Sequence, residues 1–262
     1  MKLQLTNENY FSHDADMHYI SVSQFKAFEK CQAEAMALLM GDTVRTETTA
    51  LLVGSYVDAY FEGTLALFKE EHPEIFKADG TLKKEFAQAD YIIKRVELDE
   101  LFMNFMSGQK QVIMTGEIAD VPVKIKVDSL HPDRIVDLKV MRDFKPMYVP
   151  GAGRQSFIEA WRYDLQGAVY QEIVRQNTGD VLPFYIAGVT KETEPDIGIF
   201  SVPQEVLSYE LENFKSRVEF YQSVKSGVFE PERCERCDWC KKTKVLTKIF
   251  NLEDLNDELI GD

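Results

Sequence analysis

Two acids and a lysine interrupt a short apolar stretch. In "DRIVDLKVM" (133–141), Asp137 and Lys139 stand among aliphatic residues, and Asp128 lies near the end of the preceding "VPVKIKVDSL" (121–130). Side chains alternate along a strand, so Ile135, Asp137 and Lys139 share one face, with Val136, Leu138 and Val140 on the other. In the earlier stretch Val123, Ile125 and Val127 share a face, and Lys124, Lys126 and Asp128 share the opposite one. A turn at His131-Pro132-Asp133 pairs the two strands antiparallel and lets Asp128 approach Asp137. Two carboxylates on a rigid sheet suit Mg²⁺, a hard ion that takes oxygen ligands and keeps waters for a substrate phosphate. A neighbouring lysine would steady an attacking water or developing negative charge. Glu117, on the strand before, offers a third carboxylate. A solvated sheet face with alternating charges accounts for the same pattern.

The cysteines form a second constellation. "RCERCDWCKK" sets Cys234, Cys237 and Cys240 in a C-x2-C-x2-C run, and Cys31 is the fourth cysteine of the chain. Four thiolates suit either tetrahedral Zn²⁺ or a [4Fe–4S] cluster. Such a centre would staple the C-terminal part to the first helix and add folding free energy. His13, His18, His72 and His131 show no ligand spacing, and Trp161 and Trp239 are expected to pack.

The elements that must position these residues follow from periodicity and punctuation. Ser21 and Ser23 are candidate N-caps for a helix carrying Phe25, Phe28, Ala35 and Leu38, with Gly41 as its stop. A second helix is expected over 49–61, where Gly54 suggests a close approach. A third is expected over 83–106. Three strands follow, 110–118, 121–130 and 134–141, then a Gly- and Pro-rich loop expected to be mobile. That loop carries Arg142, Lys145 and Arg154, candidate phosphate contacts. A long helix over 156–178, strands at 182–190 and 197–203, and a closing helix over 204–227 complete the order. This predicts an α/β protein with a central mixed sheet flanked by helices.

Composition narrows the class. The chain has 262 residues, 45% hydrophobic, enough for a substantial core. No apolar run is long enough to span a membrane, and the polar start "MKLQLTNENYFSHDAD" lacks the pattern of a signal peptide, so a cytoplasmic location is expected. The formal charge of −14 argues against a protein coated in nucleic acid. Yet segment 122–145 gathers Lys124, Lys126, Arg134, Lys139, Arg142 and Lys145, a local basic excess that suits an anionic substrate. One domain is expected over 1–250, followed by an acidic tail over 251–262.

The order Glu117, Asp128, then Asp137-Leu138-Lys139 resembles the core of the PD-(D/E)xK nucleases, the restriction-endonuclease-like fold. It is most similar to the phage-type branch that includes the RecE exonuclease (exodeoxyribonuclease VIII) and the lambda exonuclease. That branch follows its second acid strand with a Q-x-x-x-Y helix, matched here by Gln166 and Tyr170, with Tyr163 on the same face. The opening helix "SVSQFKAFEKC" adds to the likeness, which covers roughly residues 18–242. One departure concerns the G-x-x-x-H of an early helix, whose histidine touches the metal in such nucleases. Here the stretch is Gly54-Ser-Tyr-Val-Asp58, and aspartate can also bind Mg²⁺ or Mn²⁺. One early and three late cysteines resemble the iron–sulfur nucleases of the AddB type, although those space the last two cysteines more widely.

The resemblance implies Mg²⁺- or Mn²⁺-dependent hydrolysis of DNA, exonucleolytic on duplex ends, in phage-type recombination beside a single-strand annealing protein. It implies a metal held by Asp128, Asp137 and the Leu138 carbonyl, with Lys139 on the water, Glu117 and Asp58 in support, and Gln166 and Tyr170 orienting Lys139 or a phosphate. It implies an iron–sulfur centre at Cys31, Cys234, Cys237 and Cys240, with zinc left open. A homo-oligomer is also left open, as is a non-catalytic DNA-binding or scaffolding module on the same fold.

Overall fold

The computed structural model describes residues 3–44, 46–247 and 249; the acidic tail expected over 251–262 lies outside the described residues. The chain opens with helices α1 (His13–His18), α2 (Val22–Lys30), α3 (Gln32–Met40), α4 (Thr49–Glu62), α5 (Leu65–Glu71), a 3-10 turn (Pro73–Ile75), α6 (Lys84–Glu97) and α7 (Glu100–Phe105). Strands β1 (Gln109–Ile118), β2 (Val121–Leu130) and β3 (Ile135–Met141) follow, then a small hairpin, β4 (Met147–Val149) and β5 (Gly153–Gln155). Helices α8 (Phe157–Ala160) and α9 (Tyr163–Thr178), strands β6 (Phe184–Thr190) and β7 (Ile197–Ser201), and helices α10 (Gln204–Lys225) and α11 (Asp238–Lys242) complete it.

The five-stranded sheet has the order β1-β2-β3-β6-β7. All neighbours are antiparallel except β3 and β6, which run parallel, so the sheet is mixed. The parallel pair needs a crossover, and α8 with α9 supplies it. β3 is central and buried on both sides. Its Ile135 joins the core made by Phe25 and Phe28 of α2, Leu165 and Val169 of α9, and Phe214 of α10. Its Val136 and Leu138 join the opposite core with Tyr56 and Val57 of α4 and Ile92 and Ile93 of α6. Each such side chain contributes about 1.5–3 kcal/mol on burial, whereas an exposed ion pair contributes less than about 1 kcal/mol. Two apolar layers therefore hold the active strand, and its charged residues are free to do something else.

Three helices expected as single pieces are each interrupted by one or two residues. Cys31 is extended (φ −166°, ψ 112°) and its thiol accepts the Glu34 amide, so it ends α2 and caps α3. Leu98 closes α6, and the Asp99 carboxylate caps α7 by accepting the Phe102 amide at 2.8 Å. Arg162 adopts the left-handed conformation (φ 54°) between α8 and α9, a costly state for a residue with a Cβ. Its guanidinium is held there by Glu29 at 3.2 Å and Glu210 at 2.8 Å. The loop after β3 is not irregular throughout; it contains the β4–β5 hairpin. No close approach explains Gly54, because a Cβ there would meet nothing within 4 Å. No helix among the described residues is long and apolar enough to cross a membrane.

Candidate active site

The site is a fork in the sheet. β2 and β3 pair at Leu130↔Ile135 and Ser129↔Val136, and the ladder stops there. The next position would set Asp128 opposite Asp137. Instead the Leu138 amide donates to Asp128 Oδ2 at 2.9 Å, so a side chain replaces a ladder bond and the strands diverge. The β1 side opens at the same level. Lys110 pairs with Ser129 and Val112 with Val127, but the pair between them, Gln111 with Asp128, is skipped. Gln111 holds a left-handed φ of 52°, and its side-chain amide donates to Asp128 Oδ1 at 3.4 Å. Backbone strain of this kind collects at functional sites.

Asp137 is 2% exposed and engaged from two sides. Gln166 Nε2 of α9 donates to its Oδ1 at 2.6 Å. Its Oδ2 is buried and ion-paired with Lys139 Nζ at 2.5 Å. Lys139 in turn lies over the Tyr163 ring, 5.2 Å from its centre. Gln166 can reach because α9 packs tightly on β6: a Cβ on Gly167 would stand 2.4 Å from the Phe184 ring.

Asp58 of α4 completes the cluster. Burial pushes its carboxyl well above the usual range, and the Asp128, Glu62 and Asp137 charges add to the effect while Lys139 opposes it. The Asp128 carboxyl is pushed up to about 7 by burial and by Asp137, against Lys139 and the Leu138 amide. For Lys139 burial disfavours the charge, but Asp137 and Asp128 outweigh it and hold the ammonium above its ordinary range. Glu62, one helical turn beyond Asp58, is raised by burial and drawn down by Lys126. These carboxylates repel one another and would all be relieved by one cation. Clustered oxygen donors and an Asp137 Oδ2 that already faces a cation, the Lys139 ammonium, fit a hard divalent ion such as Mg²⁺ or Mn²⁺.

The structure therefore brings together Asp58, Asp128, Asp137, Lys139 and Gln166. Glu117 does not join them. It lies exposed at the other end of β1, opposite Pro122. Six residues of strand separate that level from Asp128, roughly 20 Å. Its amide is bonded to Gln176 of α9 at 3.0 Å. Tyr170 lines the same cleft but its hydroxyl donates to the Lys126 carbonyl at 3.1 Å, propping β2 rather than touching Lys139. Gln111 and Glu62 were not anticipated. Glu62 could have been found from its spacing, since Gly54, Asp58 and Glu62 recur every four residues. The cleft measures about 780 Å³ and is lined on its basic side by Lys26 and Lys126, with Tyr10 and Phe11 at one wall. Lys145 and Arg154 are exposed beside the β4–β5 hairpin, and Trp161, expected to pack, is 53% exposed.

The four cysteines also meet, away from the cleft lining. Cys31, Cys234, Cys237 and Cys240 place their sulfurs within 4.8 Å of one another, and none is in a disulfide. Trp239 packs beside them.

Comparison with known proteins places this arrangement. The chain is similar to the crystal structure of a "Putative exonuclease" from Eubacterium rectale, with 50% identity, a TM-score of 0.93, and coverage of 97% of this chain and 98% of that one. A further solved structure, named SSO0001, is 10% identical over 84% of this chain and 96% of that one; its TM-score of 0.31 is too low to bear on the fold. No curated protein matches. The family model described as "PDDEXK-like domain of unknown function (DUF3799)" matches residues 21–243. With the sheet, the fork and that match in agreement, the chain belongs to this PDDEXK-like family.

Proposed function

We propose that the protein is a divalent-metal-dependent deoxyribonuclease that hydrolyses phosphodiester bonds from the ends of linear duplex DNA. The observation that carries the reading is the buried Asp137 carboxylate, ion-paired with the Lys139 ammonium and set beside Asp58 and Asp128. Asp58, Asp128, Asp137 and the Leu138 carbonyl would hold the ion, Mg²⁺ or Mn²⁺. When bound, it supplies Lewis acidity to the phosphate and makes a bound water easier to deprotonate. Gln166 fixes the Asp137 carboxylate by binding Oδ1, leaving Oδ2 to Lys139 and the ion. Lys139, kept charged by its two acidic neighbours, orients the attacking water and meets the negative charge that develops on the phosphate oxygens. Water adds to phosphorus, the bridging P–O bond breaks, and the leaving oxygen takes a proton.

The Eubacterium rectale protein's name and the family support a nuclease, and the name is the support for exonuclease action. The phage-type branch, a place in recombination beside a single-strand annealing protein, and one nuclease unit over about 18–242 belong to the same reading and rest on the sequence motifs. One observation favours a non-catalytic DNA-binding module instead: Lys139 already faces the oxygen that an ion would take. Linear duplexes labelled at the 5′ or the 3′ end separate the two and give the polarity. Degradation with Mg²⁺ that disappears in Asp137→Ala and Lys139→Ala supports the enzyme. Metal-replete wild-type protein that degrades neither single- nor double-stranded DNA, with Mg²⁺ or Mn²⁺, overturns it.

A further inference from the structure

We propose that Cys31, Cys234, Cys237 and Cys240 hold one tetrahedral Zn²⁺ ion, not an iron–sulfur cluster, and that this ion fastens the C-terminal arm to the joint between α2 and α3. The size of the cage decides between the two. Four thiolates about 2.3 Å from a single ion stand about 3.8 Å apart. The sulfurs of Cys31 and Cys240 are 3.6 Å apart, those of Cys31 and Cys237 3.8 Å, and those of Cys234 and Cys240 4.0 Å. All four lie within 4.8 Å of one another. In a [4Fe–4S] cluster each thiolate binds a different corner iron, which spreads the sulfurs to roughly 6 Å. The cage is too tight for the cluster and right for one ion.

The surroundings are built for thiolates. Backbone amides donate to three of the sulfurs: Cys237 to Cys234 at 3.3 Å, Cys240 to Cys237 at 3.4 Å, and Glu34 to Cys31 at 3.5 Å. Such bonds to a ligand atom orient it and favour its charged form. Glu235 takes a left-handed φ of 56° to turn the first C-x2-C around the site. Arg233 donates to the Cys240 carbonyl at 2.6 Å, bringing positive charge to a centre whose four thiolates outnumber the ion's two charges. The cysteines bind as thiolates, so uptake of the ion releases protons. A single iron also accepts four thiolates, but Cys234 and Cys237 are only half-buried, and a redox-inert ion suits a cage open to solvent.

The ion completes a seam that is otherwise thin. The Ala33 amide donates to the Glu232 carbonyl at 3.0 Å, and the Glu232 amide donates to Gln32 Oε1 at 3.1 Å. α2 and α3 on the other side of this joint supply Lys26, Ala35 and Leu38 to the wall of the cleft. The zinc thus holds a wall of the active site in place without contributing to its chemistry, and the inference stands whether or not the cleft cuts DNA.

The test is metal and sulfide analysis of the full chain from medium supplying both zinc and iron, followed by Co²⁺ titration of chelator-stripped protein. Expected are a colourless protein with one zinc per chain, no acid-labile sulfide, and visible bands of tetrahedral cobalt–thiolate saturating at one equivalent. Cys240→Ser should lose the bound zinc. Should that variant not fold, Cys237→His keeps four ligands, and the cobalt bands should shift rather than vanish. Iron with sulfide, a single iron in place of zinc, or stripped wild-type protein that shows no cobalt–thiolate bands overturns the proposal.

Discussion

At the fork, Asp58, Asp128 and Asp137 crowd together, and the crowding strengthens the hold of Asp58 and Asp128 on their protons; at the α2–α3 joint, four cysteines close into a cage. Among the described residues, ligand atoms converge to within 4.8 Å at the cysteines and at a surface trio, Glu47, His72 and Glu74, but not at the three carboxylates. The difference lies in what holds each ligand. Three of the cysteine sulfurs accept backbone amides and sit at turns that aim them inward. The carboxylates are tied outward, to the Leu138 amide, to Gln166 and to Lys139. One region is a closed cage suited to a permanent ion. The other is an open, charge-frustrated site that suits an ion exchanging waters and phosphate.

The sharpest test of this contrast exchanges one ligand in each region. Asp58→Asn should cost about a thousandfold in single-turnover cleavage while the melting temperature holds or rises, since the charge removed is one that burial and the neighbouring acids disfavour. Cys240→Ser should do the reverse, lowering the melting temperature by several degrees or more while the cleavage rate of the folded fraction stays within about tenfold of wild type. If both variants lost activity and stability together, the division of labour between the regions would be wrong.

A smaller effect is expected from Gly167→Ala. Its Cβ would stand 2.4 Å from the Phe184 ring, so α9 must lift from β6. Overpacking of this kind costs about 1–3 kcal/mol and should carry Gln166 away from Asp137. Chemical denaturation and cleavage assays should both register it. An alanine as stable as wild type would show that α9 can slide freely, and that Gln166 is not held by packing.

A pH slope in stability is also expected. In the folded protein without divalent ions the Asp128 carboxyl titrates at about 7, against an unfolded value of about 3.9. Between those values the folded chain keeps a proton that the unfolded chain has released. The stability contribution of this group therefore falls as pH rises from about 4 to about 7 and levels off above. Thermal unfolding across that range in Mg²⁺-free buffer should show the decline, Asp128→Asn should flatten it, and added Mg²⁺ should counter it at the upper end. The cysteine cage should show no such response to Mg²⁺.

How much of this was legible in the chain depends on the kind of information. Alternation placed Asp137 and Lys139 on one face of a strand, because side-chain direction along a strand has a period of two whatever the surroundings. It could not say how long β2 and β3 stay paired. That is set by the Leu138 amide choosing the Asp128 carboxylate over a ladder partner. Glu117 was misplaced for a related reason: it is on the expected strand, but the register of a hairpin puts it beside Pro122 at the far end. The helix breaks at Cys31 and Arg162 left no trace in periodicity, since each is an interruption of one or two residues paid for by contacts from elsewhere, the cysteine cage and the Glu29–Glu210 pair.

The amino-acid sequence by itself determined the ligand chemistry: carboxylates and a lysine on alternating strands, and three thiols in seven residues waiting for a fourth. Those follow from residue type and local geometry, which neighbours in the chain are enough to define. Only the tertiary structure decided which ligands meet. It carried Asp58 from α4 to the fork, left Glu117 outside, and drew four sulfurs to the spacing of one ion. Convergence depends on where the two cores hold the sheet and its helices, a long-range packing outcome that no local pattern encodes.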